Sequence, residues 1–317
     1  MPNEICIFAG IMSLMSALVS ALSVLLPYTV PQWTVEVQRD VVYTTVEGHW
    51  SEAPVGEKGT VFKLLPKTLQ TQPLDLAMDI YLPVGDDAPS RPLLLMMHGG
   101  SFFVGNKAEK GQAGWCEYFA SLGYVAVSID YRLGFRASKR DVLAAEQRAL
   151  EDADAALRYL LGRPDLRIDP DRIFAAGTSA GAMTALNLAF RPAGDHPHIR
   201  AVGNFWGSVH DLEVLNNSDT AILSFQSPND PVMPYEEGYP FKTQGERAWL
   251  PMKAFSEVMY GTLAVHEEAQ RLGLRAEHHP CPEPRHRLHI GDDGEYTARF
   301  YEIRDRMAEF FAAEMTR

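Results

Sequence analysis

Two rhythms of apolar and polar positions take turns along this chain. Residues 34–43 (TVEVQRDVVY) and 75–81 (DLAMDIY) alternate apolar with polar side chains, the period of a strand with one covered face. Residues 93–97 (LLLMM) and 124–129 (YVAVSI) are instead short and almost wholly apolar, as strands covered on both faces must be. Elsewhere the period lengthens. Residues 115–122 predict a helix stopped by Gly123, and Leu143, Leu150, Leu157 and Leu160–Leu161 mark a longer amphipathic helix ending before Gly162 and Pro164. A strand over 172–176, a small-residue helix over 180–190, and strands over 201–206 and 221–226 follow. Residues 261–272 read as helix and 274–279 as extended chain. Tyr296, Phe300, Ile303, Met307, Phe310 and Phe311 define a terminal amphipathic helix. Apolar strands alternating with helices predict a mostly parallel sheet with helices on both faces, its reacting groups at the carboxyl ends of strands.

The first thirty residues stand apart from this alternation. Residues 5–26 (ICIFAGIMSLMSALVSALSVLL) carry no charge over 22 positions, long enough to span a hydrocarbon core. Small residues such as Val19-Ser20-Ala21 suit a cleaved signal, although Met1-Pro2-Asn3-Glu4 lacks a basic residue and the first is Arg39. Residues 1–30 are therefore assigned to a signal peptide or a membrane anchor and residues 34–317 to one catalytic domain. This predicts export to the periplasm or the exterior, with membrane attachment through 5–26 if the segment is kept. The remaining chain, 46% hydrophobic in a 317-residue whole, suffices for one large core. A net charge of −12 without a basic, aromatic-studded run argues against a nucleic-acid partner. Of three cysteines, Cys6 lies in the apolar segment, while Cys116 and Cys281 are either free buried thiols or a pair in an exported protein.

Chemistry concentrates in four places. Gly177-Thr178-Ser179-Ala180-Gly181 is a G-x-S-x-G sequence between a predicted strand and a predicted helix, where a strained turn exposes a nucleophilic Ser179. His98-Gly99-Gly100-Ser101 follows an earlier strand, where fixed N–H donors must meet a developing oxyanion; Gly100, Ser101 and Ala180 are the candidate donors. His98 reads as a brace for that loop. Asp230, in Ser227-Pro228-Asn229-Asp230-Pro231 after a later strand, is the candidate acid, with Asp211 one strand earlier as its rival. The base must come last, from the run 278–289 (HHPCPEPRHRLH). His286 is the candidate and His289 the alternative, while His278 and His279 would face opposite sides of a strand. Three prolines stiffen this stretch against the convergence a metal site needs.

In this order the residues resemble the α/β-hydrolase superfamily, and within it the carboxylesterases related to hormone-sensitive lipase and the bacterial feruloyl-esterase-like enzymes. The likeness rests on His98-Gly99-Gly100-Ser101-Phe102, Tyr131-Arg132-Leu133, Gly177–Gly181 and residues 229–235 (NDPVMPY), and spans about 75–311. Ser101 stands where many relatives carry a third glycine, and Arg285 precedes His286 where similar enzymes show glycine. The resemblance implies a central sheet of about eight strands and hydrolysis of small-molecule carboxylic esters without a cofactor or metal. It leaves two alternatives: a serine exopeptidase or acyl-peptide hydrolase with the same triad, and a binding protein that has lost catalysis. Residues 233–254, rich in aromatics, glycine and charge, form either part of the substrate wall or a connecting loop.

Overall fold

A computed structural model describes residues 28–52, 65–136, 138–192, 194, 196–241 and 256–315. The apolar stretch 5–26, Cys6 and residues 242–254 of the stretch 233–254 lie outside the described residues. Among the described residues no helix is long and apolar enough to cross a membrane.

In chain order the strands are β1 (Thr34–Gly48), β2 (Gln72–Val84), β3 (Arg91–Met97), β4 (Val125–Ile129), β5 (Ile168–Thr178), β6 (Ala201–Phe205), β7 (Ala221–Gln226), β8 (Glu237–Gly238), β9 (Met259–Tyr260) and β10 (Ala276–Pro280). Eight of them make one sheet in the order β1-β2-β4-β3-β5-β6-β7-β10, and β8 and β9 pair separately. The β1–β2 and β2–β4 contacts are antiparallel and the rest are parallel. Strand β1 runs five residues past its apolar alternation because Gly48 still pairs with Gln72. As an edge strand it tolerates the polar residues Thr44, Thr45 and Glu47 without losing its ladder.

Helices α1 (Lys110–Ser121) and α5 (Ala298–Glu314) cover one face. Helices α2 (Lys139–Leu161), α3 (Ala180–Ala189) and α4 (Thr262–Arg271) cover the other. The apolar run of β3 serves both: Leu93, Leu95 and Met97 pack toward α2 and α3, Leu94 and Met96 toward α1 and α5. Helix α1 begins at Lys110, earlier than its apolar period, since its first turn buries Gly111 and Gln112 rather than large side chains. A Cβ at Gly111 would stand 2.1 Å from Cδ2 of His289, so close packing replaces hydrophobic period there. Cys116 and Cys281 are free and buried. Burial pushes the thiol of Cys281 up to about 12 and that of Cys116 well above its ordinary value.

The strand order reverses at β3. From β3 the chain steps to β4 by α1, then crosses by α2 to β5 on the other side of β3. The carboxyl ends of β3 and β5 thus flank a crevice at a topological switch point, where open sheets bind ligands.

Candidate active site

Ser179 caps the turn between β5 and α3 with φ 53° and ψ −120°, a conformation that side chains rarely adopt. The packing around it leaves no alternative. A Cβ on Gly177 would lie 2.3 Å from the carbonyl carbon of Gly181, and one on Gly181 would lie 2.2 Å from the carbonyl oxygen of Met97. The two glycines let strand and helix cross at van der Waals distance, and the strain falls on the serine between them. Its amide donates to the carbonyl of Phe205 at 2.9 Å, tying the turn to β6.

The loop after β3 folds back on itself. Gly100 has φ 107°, and a Cβ there would overlap the carbonyl oxygen of Val104 at 1.9 Å. Its own carbonyl accepts the amides of Phe103 and Val104, both at 3.0 Å. Ser101 and Phe102 continue the left-handed turn with φ 53° and 57°. The indole of Trp50 donates to the carbonyl of Phe103 at 2.9 Å, and the amide of Gly134 donates to Phe102 at 2.9 Å. Gly99 approaches the elbow, for a Cβ there would meet the Cβ of Ser179 at 3.3 Å. Among the described residues the amides of Gly100, Ser101 and Ala180 find no acceptor within the protein. His98 is fully buried, its ring stacked on Tyr131 at 4.3 Å, with Nδ1 bonded to the carbonyl of Gly99 at 2.7 Å. Burial pushes its imidazole down to about 4, as befits a brace rather than a base.

Asp230 and His286 arrive from opposite directions. Asp230 follows β7 in a turn whose amide donates to Ser227, and its side chain is fully buried. Its Oδ1 accepts the amides of Val232 and Met233 at 2.7 and 3.1 Å, which fixes the carboxylate plane. His286 lies in the loop after β10, with Nδ1 at 3.0 and 2.9 Å from the two oxygens of Asp230 and Nε2 at 2.9 Å from Oγ of Ser179. Since a carboxylate can only accept, Nδ1–H is the donor to Asp230, and the lone pair of Nε2 faces the serine hydroxyl.

The other candidates are placed elsewhere. Asp211 accepts the amide of Glu213 at 2.9 Å, a local capping bond. His289 is buried between Trp115 and Trp206, at ring distances of 5.1 and 5.2 Å. Burial, then the charges of Arg287, His286 and Arg285, push it down to about 3. His278 and His279 do face opposite ways, the first against His266 and Thr262, the second stacked on Phe225 at 4.4 Å.

Three supporting residues escaped sequence reasoning. Gln226 ends β7 fully buried and donates to Oδ2 of Asp230 at 3.3 Å and to the carbonyls of Met233 and Pro234. Its own oxygen accepts from Thr262. A glutamine closing a mostly apolar strand was the available signal. Gln112 of α1 donates to Oγ1 of Thr178 at 2.8 Å, beside the serine, and Trp206 stands edge-on to His286 at 6.4 Å. Neither has a local pattern to announce it.

Residues 78–198 match the BD-FAE family model, a span holding the loop after β3 and the elbow but neither Asp230 nor His286. Over 121 residues, 37% of this chain, the sequence is 36% identical to the non-reducing polyketide synthase prhL of Penicillium brasilianum, covering 5% of that protein. Over 104 residues, 32% of this chain, it is 34% identical to Gut esterase 1 of Caenorhabditis briggsae, covering 18% of it. The chain thus spans a small part of these relatives. The fold is similar to that of esterase B from Lactobacillus rhamnosis, inhibited by a tributyrin phosphonate. That likeness has a TM-score of 0.54 and 14% identity, and covers 97% of this chain and 94% of the other.

Proposed function

From the α/β-hydrolase fold that this chain has, we propose that it hydrolyses carboxylic esters through an acyl-enzyme on Ser179. The observation that carries the proposal is the unbroken row from Oγ of Ser179 through His286 to Asp230, each step 2.9 Å. Such a row does three things at once. Nε2 of His286 takes the hydroxyl proton as Ser179 attacks the ester carbonyl. Asp230 keeps Nδ1 protonated and stabilises the imidazolium that forms. The imidazolium then returns its proton to the leaving alcohol, and water repeats the sequence on the acyl-serine.

The carbonyl oxygen, charged in each tetrahedral intermediate, is met by the amides of Gly100, Ser101 and Ala180. Those amides carry no partner among the described residues, and the turn that points them is already formed, so no reorganisation is spent when charge develops. One such donor is worth ~10²–10³ in rate. Residues 34–317 act in this reading as one catalytic domain, with residues 5–26 as an export signal or anchor ahead of it.

Ser179→Ala tests the proposal. Turnover of p-nitrophenyl acetate should fall by ~10⁶, leaving only what a fixed oxyanion site gives without a nucleophile. Retention of the parent rate by folded Ser179→Ala protein would mean that the reaction does not pass through this residue.

A further inference from the structure

A cavity of about 250 Å³ lies between the first turn of α1 and the loop that carries His286, lined by Asn106, Glu109, Lys110, Gly111, Arg287 and His289 among others. It is linked to the reacting row through one ring, for His289 in its wall lies 5.2 Å from Trp206, which stands 6.4 Å from His286. Arg287 follows His286 in sequence, and Gly111 precedes Gln112, which bonds Thr178 beside the serine.

Its lining is rich in donors. The first amides of a helix have no intrahelical acceptor, and Glu109, at the N-cap of this 12-residue helix, supplies no side-chain cap. Arg287 is exposed and forms no ion pair among the described residues. Its charge reaches the carboxyl of Glu109 without closing on it. Asn106 turns its carboxamide oxygen to the amide of Ala108 at 2.9 Å, which leaves its NH₂ group for other use. Lys110 stands at the rim, already held by Glu295 at 2.6 Å. His289 is 3% exposed, and its Nδ1 has no hydrogen-bond partner. Glu109 is the one acid in the lining, and burial pushes it up to about 7, so near neutral pH much of its charge is gone.

We propose that this cavity is a subsite for a carboxylate on the alcohol half of the ester, held by Arg287 and the first-turn amides of α1. The alcohol half is chosen because the imidazole must reach the leaving oxygen, and the cavity is built from the imidazole's own loop. Its volume is below that of drug-sized pockets and equals the share of about eight waters, which suits a compact anionic group. The inference rests on the ester-hydrolase reading and specifies the substrate class within it.

The test compares two phenyl acetates of nearly the same shape, 4-acetoxybenzoate and 4-acetoxybenzamide, in the full chain at low salt. The ratio of their kcat/KM values is read within each protein, so a partly unfolded variant does not distort it. The parent should favour the benzoate by ~10-fold. Arg287→Gln should bring the ratio to about one, and Glu109→Gln should raise it by removing a competing negative charge. A parent ratio of one or less, a ratio indifferent to Arg287→Gln, or a fall in Glu109→Gln would overturn the proposal. Turnover of neither ester would remove the hydrolase reading along with it, whereas turnover without charge preference removes this inference alone.

Discussion

Ser179 and His286 meet at 2.9 Å but are held there by different means. The serine is fixed by main chain: two glycines in contact, a strand below, a helix above, and a hydrogen bond from its amide to the carbonyl of Phe205. The histidine is fixed by side chains. Its loop is held by Asp230, by Arg285 on Asp292 and the carbonyl of Ile290, and by the hydroxyl of Thr297 on the carbonyl of Leu288. The elbow is therefore set by the fold's main chain, and His286 is brought to it by the carboxylate of Asp230. Steric changes should act on the first region, electrostatic ones on the second.

Asp230→Asn should give the largest separation of the two. The amides of Val232 and Met233 can still be satisfied by the carboxamide oxygen and only the 3.3 Å bond from Gln226 is lost, so the urea midpoint should fall far less than the activity. Nδ1 then faces a group that no longer demands its proton, and kcat should fall by ~10⁴. Activity within tenfold of the parent would show that the acid does not set the tautomer. The opposite pattern is expected of Gly181→Ala, whose new methyl would press on the carbonyl oxygens of Met97 and His98 at 2.2 and 2.4 Å. Backbone cannot yield there as a flexible side chain could, and unfolding measurements should show a loss of ~3 kcal/mol.

Acid titration compares the two regions more finely. His98 in the loop after β3 and His289 in the loop after β10 are both buried in the neutral form, at about 4 and about 3. Below the ordinary value of 6.5 the unfolded chain takes up protons that the folded chain refuses. Stability is thus fully present above 6.5 and declines as pH falls toward the folded values. Each histidine contributes a loss of up to ~1.4 kcal/mol per pH unit, set against an opposite contribution from Glu109, whose folded value of about 7 lies above its ordinary one. His278 is pushed down to about 4 as well, so His289→Phe, apolar and nearly isosteric, should remove one share among three, and the variant should gain on the parent in urea midpoint from pH 7 to pH 5. A slope unchanged by the substitution would place the acid sensitivity elsewhere.

The same contrast explains what could be read along the chain. Strands β3, β4, β6 and β7 were legible because burial on both faces leaves short, mostly apolar runs, broken only by single polar residues such as Ser128, Asn204 and Ser224. The elbow was legible because its constraints lie within five consecutive residues, 177–181. Asp230 and His286 were legible only as members of short lists. Choosing among His278, His279, His286 and His289 depends on where a loop turns after β10, which no local period records. Gln112 was invisible for a related reason, and Gln226 was signalled only by its place at the end of β7. Each satisfies a partner distant in sequence, and a buried glutamine looks in sequence like any other polar residue. The length of β1 was misjudged because pairing with β2, not the hydrophobicity of its own residues, decides where an edge strand ends.

The central claim is that Ser179 is an activated nucleophile rather than a hydroxyl at a tight turn. Labelling with a fluorophosphonate probe, followed by mass spectrometry of the modified peptide, tests it most directly, because the probe forms a covalent bond only with a serine whose proton is being taken. The account predicts stoichiometric labelling at Ser179 in the parent, and none in Ser179→Ala or His286→Ala. No labelling of the folded parent, or equal labelling in His286→Ala, would contradict it.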